Sequence, residues 1–151
     1  MKELSETNLH QIKNLFLSVK ASREKMLEDL LEKRVSYILN LSKNWDDNGA
    51  ENFKKHTLER VSNLLKKVFQ DLWNQMIDAP FPLISPVPDG SVDINWETDI
   101  FELLINIPAK ENLLVNLYGE RINHPEDEVE VRINYDMVAQ YVIPWLIKVS
   151  S

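Results

Sequence analysis

A proline-rich segment divides this chain into two halves with different hydrophobic patterns. Pro80, Pro82, Pro86 and Pro88 lie within residues 79–90. Each proline fixes its own φ and disfavours a helical conformation in the residue before it, so the segment must be extended. Apolar residues recur every three or four positions before the segment and every second position after it, which is typical of helices and strands respectively. This change of period predicts an α+β fold in which helices precede a sheet.

The first half predicts a long N-terminal helix or a helical hairpin. Residues 5–41 contain neither proline nor glycine. A continuous helix of that length would extend about 55 Å at 1.5 Å per residue, which exceeds the width of a domain of this size. We therefore expect either one overhanging helix or two segments with a bend near Ser22, which can cap a second segment. A further helix is predicted from about Asn52 to Ile77, so that the N-terminal helices span residues 5–77.

The second half predicts a four-stranded antiparallel meander over residues 91–135. Short connections at 98–99, 109–111 and 123–127 separate the strands, and one apolar face should pack on the helices. A C-terminal helix is predicted over 137–149, with Pro144 expected to kink or break it. These elements form a single α+β domain over residues 1–151.

The net charge and the absence of cysteine exclude or disfavour several classes of function. The formal net charge is −7, so the average field repels nucleic-acid phosphates and disfavours general nucleic-acid binding. There is no cysteine, which excludes disulfides, thiolate metal sites and cysteine nucleophiles. No apolar run is long enough for a membrane span and the N-terminus lacks a signal-peptide core, so we expect a cytoplasmic protein without membrane contact.

The loop KNWDDNGAENFKK, residues 43–55, resembles a calcium-binding loop only superficially. Asn44, Asp46, Asn48 and Gly49 match positions 1, 3, 5 and 6 of an EF-hand loop, but position 12 is Lys55, where a glutamate should bind the ion. We interpret the loop as a connector, with Asn48-Gly49 in a left-handed conformation that ends a helix, an aspartate bonding backbone N–H groups, and Trp45 as an anchor to the core.

No catalytic constellation is visible in the sequence. His10, His56 and His124 are isolated, and there is no nucleophile elbow or glycine-rich phosphate loop. Pro88-Asp89 opens a strand as in some metal-dependent nucleases, but the next strand lacks the required lysine. We therefore predict no catalytic residue, metal ligand or cofactor, although carboxylates of the sheet together with a histidine remain an alternative for metal-assisted hydrolysis.

The outward face of the sheet is the predicted partner-binding surface. It combines acidic residues, relieved by Arg121 and Arg132, with two residues that are unusual on a solvated face, Leu104 and Tyr118. The residues predicted to bind a partner are Asp93, Glu97, Glu102, Leu104, Tyr118, Glu130 and Arg132. An ordinary solvated face is the alternative interpretation.

Two motifs resemble those of a widespread, uncharacterised family of small bacterial and archaeal proteins. The first motif, W-D-x-x-G-A, is formed by Trp45, Asp46, Gly49 and Ala50, and the second runs from Pro82 to Trp96. The residues of the two motifs that we interpret as structural are Trp45, Asp46, Gly49, Pro88, Asp89, Gly90 and Trp96. The resemblance covers residues 41–107 and implies no enzyme activity, but a genomic setting near mobile elements and defence or toxin–antitoxin genes.

The favoured hypothesis is a non-enzymatic protein-binding module, such as an antitoxin, immunity or phage-defence component, that covers a basic partner encoded by a neighbouring gene. Homodimerisation through the N-terminal helix is compatible with it. The alternative is a nucleic-acid-associated regulator that uses a basic stripe on the second helix. That stripe comprises Lys54, Lys55, Arg60, Lys66 and Lys67.

Overall fold

The computed structural model describes residues 5–150 and has the predicted α+β class. The elements in chain order are α1 (Glu6–Leu39), α2 (Lys55–Asn74), β1 (Leu83–Pro86), β2 (Val92–Glu97), β3 (Phe101–Ile107), β4 (Val115–Arg121), β5 (His124–Ile133) and α3 (Tyr135–Ser150). The strands form one antiparallel sheet in the order β1-β2-β3-β4-β5. The sheet therefore has five strands, and the prediction of four was wrong because the proline-rich segment supplies β1.

Strand β1 lies at the edge of the sheet, which is why it tolerates Pro86. It pairs only with β2, from Leu83 opposite Asn95 to Pro86 opposite Val92. Arg34 of α1 donates two hydrogen bonds, from Nε and Nη2, to the carbonyl oxygen of Ile84 at 3.1 and 2.6 Å. Helix α1 thereby covers part of the edge of the sheet.

Helix α1 is continuous, without a bend into two segments at Ser22. Its N-terminal cap is Ser5, whose Oγ accepts a hydrogen bond from Asn8 N at 3.2 Å. Thirty-four residues extend about 50 Å. Its buried residues are Leu27, Leu31 and Ile38, all in the C-terminal half. The N-terminal half therefore extends beyond the core, as the one-helix alternative requires.

Helices α2 and α3 cover the inner face of the sheet. Helix α2 is shorter than predicted at both ends, and its buried stripe includes Leu58, Leu65 and Leu72. Helix α3 begins at Tyr135 and continues through Pro144, so the predicted break does not occur. Because Pro144 has no backbone N–H, the carbonyl of Gln140 loses its helical hydrogen-bond donor. Both residues are exposed, so water can donate to that carbonyl instead.

The turn between β4 and β5 is shorter than predicted. The segment 123–127 was expected to be a connection, but β5 begins at His124. Asn123 adopts a positive φ of 64°, and a register shift between Gly119 and Arg121 allows the tight reversal. No helix within residues 5–150 is long and apolar enough to cross a membrane.

Candidate functional site

The two sequence motifs contact each other in the folded chain. Glu51 N, directly after the first motif, donates a hydrogen bond to Pro88 O of the second motif at 2.9 Å. A Cβ atom at Gly90 would lie 3.3 Å from Ala109 Cβ and 3.5 Å from Asn52 O, and the φ of Gly90 is +88°. The second motif therefore needs a glycine both for its turn and for close approach to the first motif.

The side chains of the first motif make structural contacts. Asp46 Oδ1 accepts hydrogen bonds from Asn48 N at 2.9 Å and from Ala50 N at 3.0 Å. The indole of Trp45 packs on Phe53 with ring centroids 6.0 Å apart. Gly49 has a positive φ of 85°. It does not end a helix, because α1 has already ended at Leu39, and it instead shapes the loop.

The side chains of the second motif also make structural contacts. Asp89 Oδ1 accepts hydrogen bonds from Ser91 N at 2.9 Å and from Ser91 Oγ at 2.5 Å. Trp96 is buried in the core, and its Nε1 donates to Pro80 O at 2.7 Å. These bonds hold the proline-rich segment against the sheet and present no reactive group.

The seven predicted partner-binding residues lie on one face of the sheet, here called the outer face. They belong to strands β2, β3, β4 and β5, at positions that alternate with the buried positions of those strands. The outer face is the side of the sheet away from the helices. The register aligns its residues in rows across neighbouring strands.

One of these rows consists of glutamates. Glu97 lies opposite Glu102, and Glu102 lies opposite Glu120 on the next strand. Within residues 5–150 none of the three forms an ion pair. Like charges at directly opposed sheet positions destabilise a fold. We call Glu97, Glu102 and Glu120 the glutamate row.

The neighbouring row is partly apolar. Leu83, Asn95, Leu104, Tyr118 and Glu130 follow one another across all five strands. The exposed fractions are 60% for Leu83 and 37% for Leu104. We call Leu83, Leu104 and Tyr118 the apolar row.

The acidic residues around Tyr118 shift the pKa of its phenol. Its hydroxyl donates a hydrogen bond to Glu120 Oε2 at 3.0 Å. This hydrogen bond, followed by partial burial and by the charges of Glu120, Glu128 and Glu130, raises the pKa of Tyr118 above its usual value of 10.0. Three glutamates therefore lie near the phenol on this part of the outer face.

Arg121 does not offset the negative charge of the outer face, contrary to the expectation from the sequence. Its side chain lies on the helix side of the sheet, where Nη1 is 3.3 Å from Asp127 Oδ2. Lys148 of α3 contacts the other carboxylate oxygen of Asp127. The hydrogen bond from Lys148, followed by that from Arg121, lowers the pKa of Asp127 despite its burial. The outer face is therefore more acidic than the sequence suggested.

His124 is not isolated, because it belongs to a small acidic cluster. Ligand atoms of His124, Glu126 and Asp127 lie within 4.8 Å of one another. His124 Nδ1 and Glu126 Oε1 are 3.0 Å apart. The two cations that hold the Asp127 carboxylate disfavour a metal ion there, so the cluster is accounted for by pairing within the protein.

The basic stripe on α2 is interrupted in the folded chain. Arg60 is buried and its guanidinium stacks on the ring of Tyr135, 4.4 Å from the centroid. Lys67 pairs with Asp71 at 3.1 Å, and Lys54 precedes the helix. The remaining cations do not form one continuous surface.

Sequence reasoning did not identify two outer-face residues, Leu83 and Glu128. Leu83 belongs to β1, whose alternation over only four residues is obscured by the flanking prolines. Glu128 directly follows the segment that was expected to be a connection. Comparison of the chain with protein-family models, curated proteins and solved structures finds no match.

Proposed function

We propose that this protein is a non-enzymatic binding module whose outer sheet face docks a basic protein. The observation that supports the proposal most strongly is the glutamate row, in which three carboxylates face one another and form no ion pair with any residue of 5–150. Such an arrangement costs stability in the free protein, and a cationic partner would relieve that cost.

The apolar row gives the same face a non-electrostatic contribution. Protein interfaces combine an apolar centre with a polar rim, and charge complementarity mainly increases the rate of encounter and the specificity. Leu83 and Leu104 supply exposed apolar area beside the glutamates. A protein surface with arginine or lysine residues around an apolar patch is the partner chemistry that fits.

The biological setting that we propose follows from the two motifs. Their resemblance to an uncharacterised family found near defence and toxin–antitoxin genes favours an antitoxin, immunity or phage-defence role. In that role the module would cover a basic protein encoded by an adjacent gene. The contacts of the motif residues are structural, which supports binding rather than catalysis.

We also propose self-association through the N-terminal half of α1. Leu9, Ile12, Phe16 and Val19 recur at spacings of three and four, and the first two are about half exposed. This period is that of a coiled-coil seam. A second copy of α1 would bury the part of the stripe that the domain leaves most exposed, Leu9 and Ile12.

The test compares protein capture by the wild type and by two charge-matched variants. The first variant, Glu97→Gln/Glu102→Gln/Glu120→Gln, neutralises the glutamate row. The control, Glu28→Gln/Asp29→Asn/Glu32→Gln, removes the same number of charges from exposed positions on α1. Each tagged protein is expressed in the native host, captured at low salt with and without nuclease, and analysed by mass spectrometry.

The expected result is one stoichiometric basic protein that survives nuclease and is retained by the control but lost by the glutamate-row variant. Purified partner should then bind the wild type with an affinity that falls as salt rises. Equal capture by both variants would remove the outer face from the proposal. Nucleic acid, or proteins lost on nuclease treatment, would favour the regulator alternative instead.

A further inference from the structure

A cleft between the N-terminal ends of α2 and α3 contains a buried arginine. The cleft has a volume of about 640 Å³. One wall of the cleft is formed by three residues of α2, which are His56, Arg60 and Asn63. The first residues of α3 form a second wall, and the loop after β3 forms the third. The cleft lies on the helix side of the sheet, away from the outer face.

Arg60 has few partners for a side chain so strongly buried. Only 7% of the residue is exposed. Its Nη1 donates one long hydrogen bond, 3.5 Å, to Pro108 O. No carboxylate of residues 5–150 lies within 4.0 Å of its guanidinium. Because a guanidinium carries five N–H donors, four of them have no acceptor among residues 5–150.

The guanidinium is nevertheless held in place. Its carbon lies 4.4 Å from the centroid of the Tyr135 ring, and the hydroxyl of Tyr135 donates a hydrogen bond to Arg60 O at 2.7 Å. Nε and Nη2 make no hydrogen bond to the described part of the chain, and neither is fully enclosed. Arg60 is therefore a fixed cation in the wall of the cleft, with N–H donors that the described residues do not use.

The first turn of α2 brings no carboxylate to the cleft, and His56 in that turn lies 3.0 Å from Glu111, measured from Nε2 to Oε1. Lys54 at the N-cap makes no side-chain hydrogen bond to the helix, and the first turn contains no acidic residue. The free N–H groups and the positive end of the helix dipole are therefore not neutralised by an N-cap side chain.

We propose that this cleft binds the carboxylate group of a small ligand, with Arg60 as its main anchor. A guanidinium matches a planar carboxylate by two parallel hydrogen bonds. Glu111 and Asp136 also line the cleft, and their charges oppose any anion, but they oppose a dianion such as phosphate more strongly than a single carboxylate. Leu113 and Met137 line the same cleft and provide apolar contact for the body of the ligand.

The proposal is tested by NMR titration of the labelled protein near neutral pH. Sodium acetate is the probe, sodium phosphate tests the dianion, and sodium chloride at equal ionic strength is the control. The readouts are the side-chain Nε–H resonance of Arg60 and the backbone amides of Tyr135 and Asp136. Saturable shifts with acetate, and not with chloride, are expected.

Variants separate the cleft from general charge effects. Arg60→Lys keeps the charge but loses the planar fork, and acetate binding should weaken about tenfold. Asn63→Ala changes an exposed residue of the cleft wall and should weaken binding without changing thermal unfolding. Lys67→Met removes a cation of the same helix outside the cleft and should leave binding unchanged.

Two outcomes would overturn the inference. If acetate moves the Arg60 resonance no more than chloride does, the cleft holds no carboxylate site, whatever the variants do. If phosphate binds at least as tightly as acetate, the assignment of the cleft to a carboxylate ligand is wrong. Because the probes are small anions and the readout is local to the cleft, neither result depends on the partner proposed for the outer face.

Discussion

At the scale of single residues, Gly119 is the position where an added methyl group has least room. A Cβ atom there would lie 3.0 Å from Trp145 Cζ2 and 3.1 Å from both Leu103 Cδ1 and Val129 Cγ1. Gly119→Ala should therefore lower the free energy of unfolding by about 1–3 kcal/mol, since the packed side chains of Trp145, Leu103 and Val129 must move to make room. Urea unfolding measures this effect. Asn95→Ala, on the outer face, is the control, and an equal loss in both variants would contradict the packing argument.

Asp127 gives a prediction about pH. Its pKa in the folded protein is lowered below 3.8, chiefly by the hydrogen bond from Lys148. A lowered pKa stabilises the fold above the pKa of the unfolded chain, and that contribution is lost as pH falls through the folded value. The stability difference between wild type and Asp127→Asn should therefore be constant above about pH 5 and shrink as pH falls below about 4.

Urea midpoints of both proteins across the acid range test this prediction. Asp99→Asn, at an exposed position in the turn between β2 and β3, supplies the baseline for a carboxylate without such partners. A difference between wild type and Asp127→Asn that does not vary with pH would show that the two cations do not perturb the carboxylate.

At the scale of elements, the attachment of β1 depends on Arg34. Both of its hydrogen bonds end on the carbonyl oxygen of Ile84. Arg34→Lys keeps the charge and loses the two-pronged contact, so it should cost about 1–2 kcal/mol and accelerate amide exchange in β1. Hydrogen exchange read by mass spectrometry on peptides spanning 83–86 measures this change. Lys33→Gln, at an exposed neighbouring position, should leave the exchange of β1 as it is.

The glutamate row gives an element-scale prediction that needs no partner. Neutralising Glu97, Glu102 and Glu120 to glutamine removes repulsion across two strand pairs and should raise the free energy of unfolding by about 1 kcal/mol at low salt. The gain should decline as salt screens the charges of the wild type. The α1 control, Glu28→Gln/Asp29→Asn/Glu32→Gln, should show little gain. A destabilised glutamate-row variant would indicate that these side chains make stabilising contacts.

At the scale of the whole molecule, the N-terminal half of α1 reports on self-association. In a monomer, its amides should exchange faster than those around Leu31, because the N-terminal half contains no buried residue. In a dimer, protection of residues 6–20 should rise with protein concentration. Ile12→Glu, at an exposed position of the stripe, should then return the light-scattering mass to that of a monomer, while Asn14→Glu, on the opposite side of the helix, should not. A concentration-independent mass in the wild type would end the dimer proposal.

The sequence predicted which helices and strands form more accurately than it predicted where they begin and end and what they contact. The change of period at the prolines was enough to place helices before a sheet, and alternation within β2, β3 and β4 separated inner from outer residues. The prediction failed where local rules compete with tertiary contacts. Pro86 was not recognised as part of a strand, because only its position at the sheet edge makes a missing donor harmless. The segment 123–127 was read as a loop, because the register shift beside Gly119 has no local signal.

What the sequence by itself determined is the α+β class, the acidity of one face and the helical spacing of apolar residues near the N-terminus, because these follow from periodicities along the chain. Only the tertiary structure decided which charges meet. The strand register aligned Glu97, Glu102 and Glu120 and put Arg121 on the helix side of the sheet, while helix packing buried Arg60. The physical reason is that pairing partners come from distant parts of the chain, and a change of register by one residue exchanges the two faces of a strand.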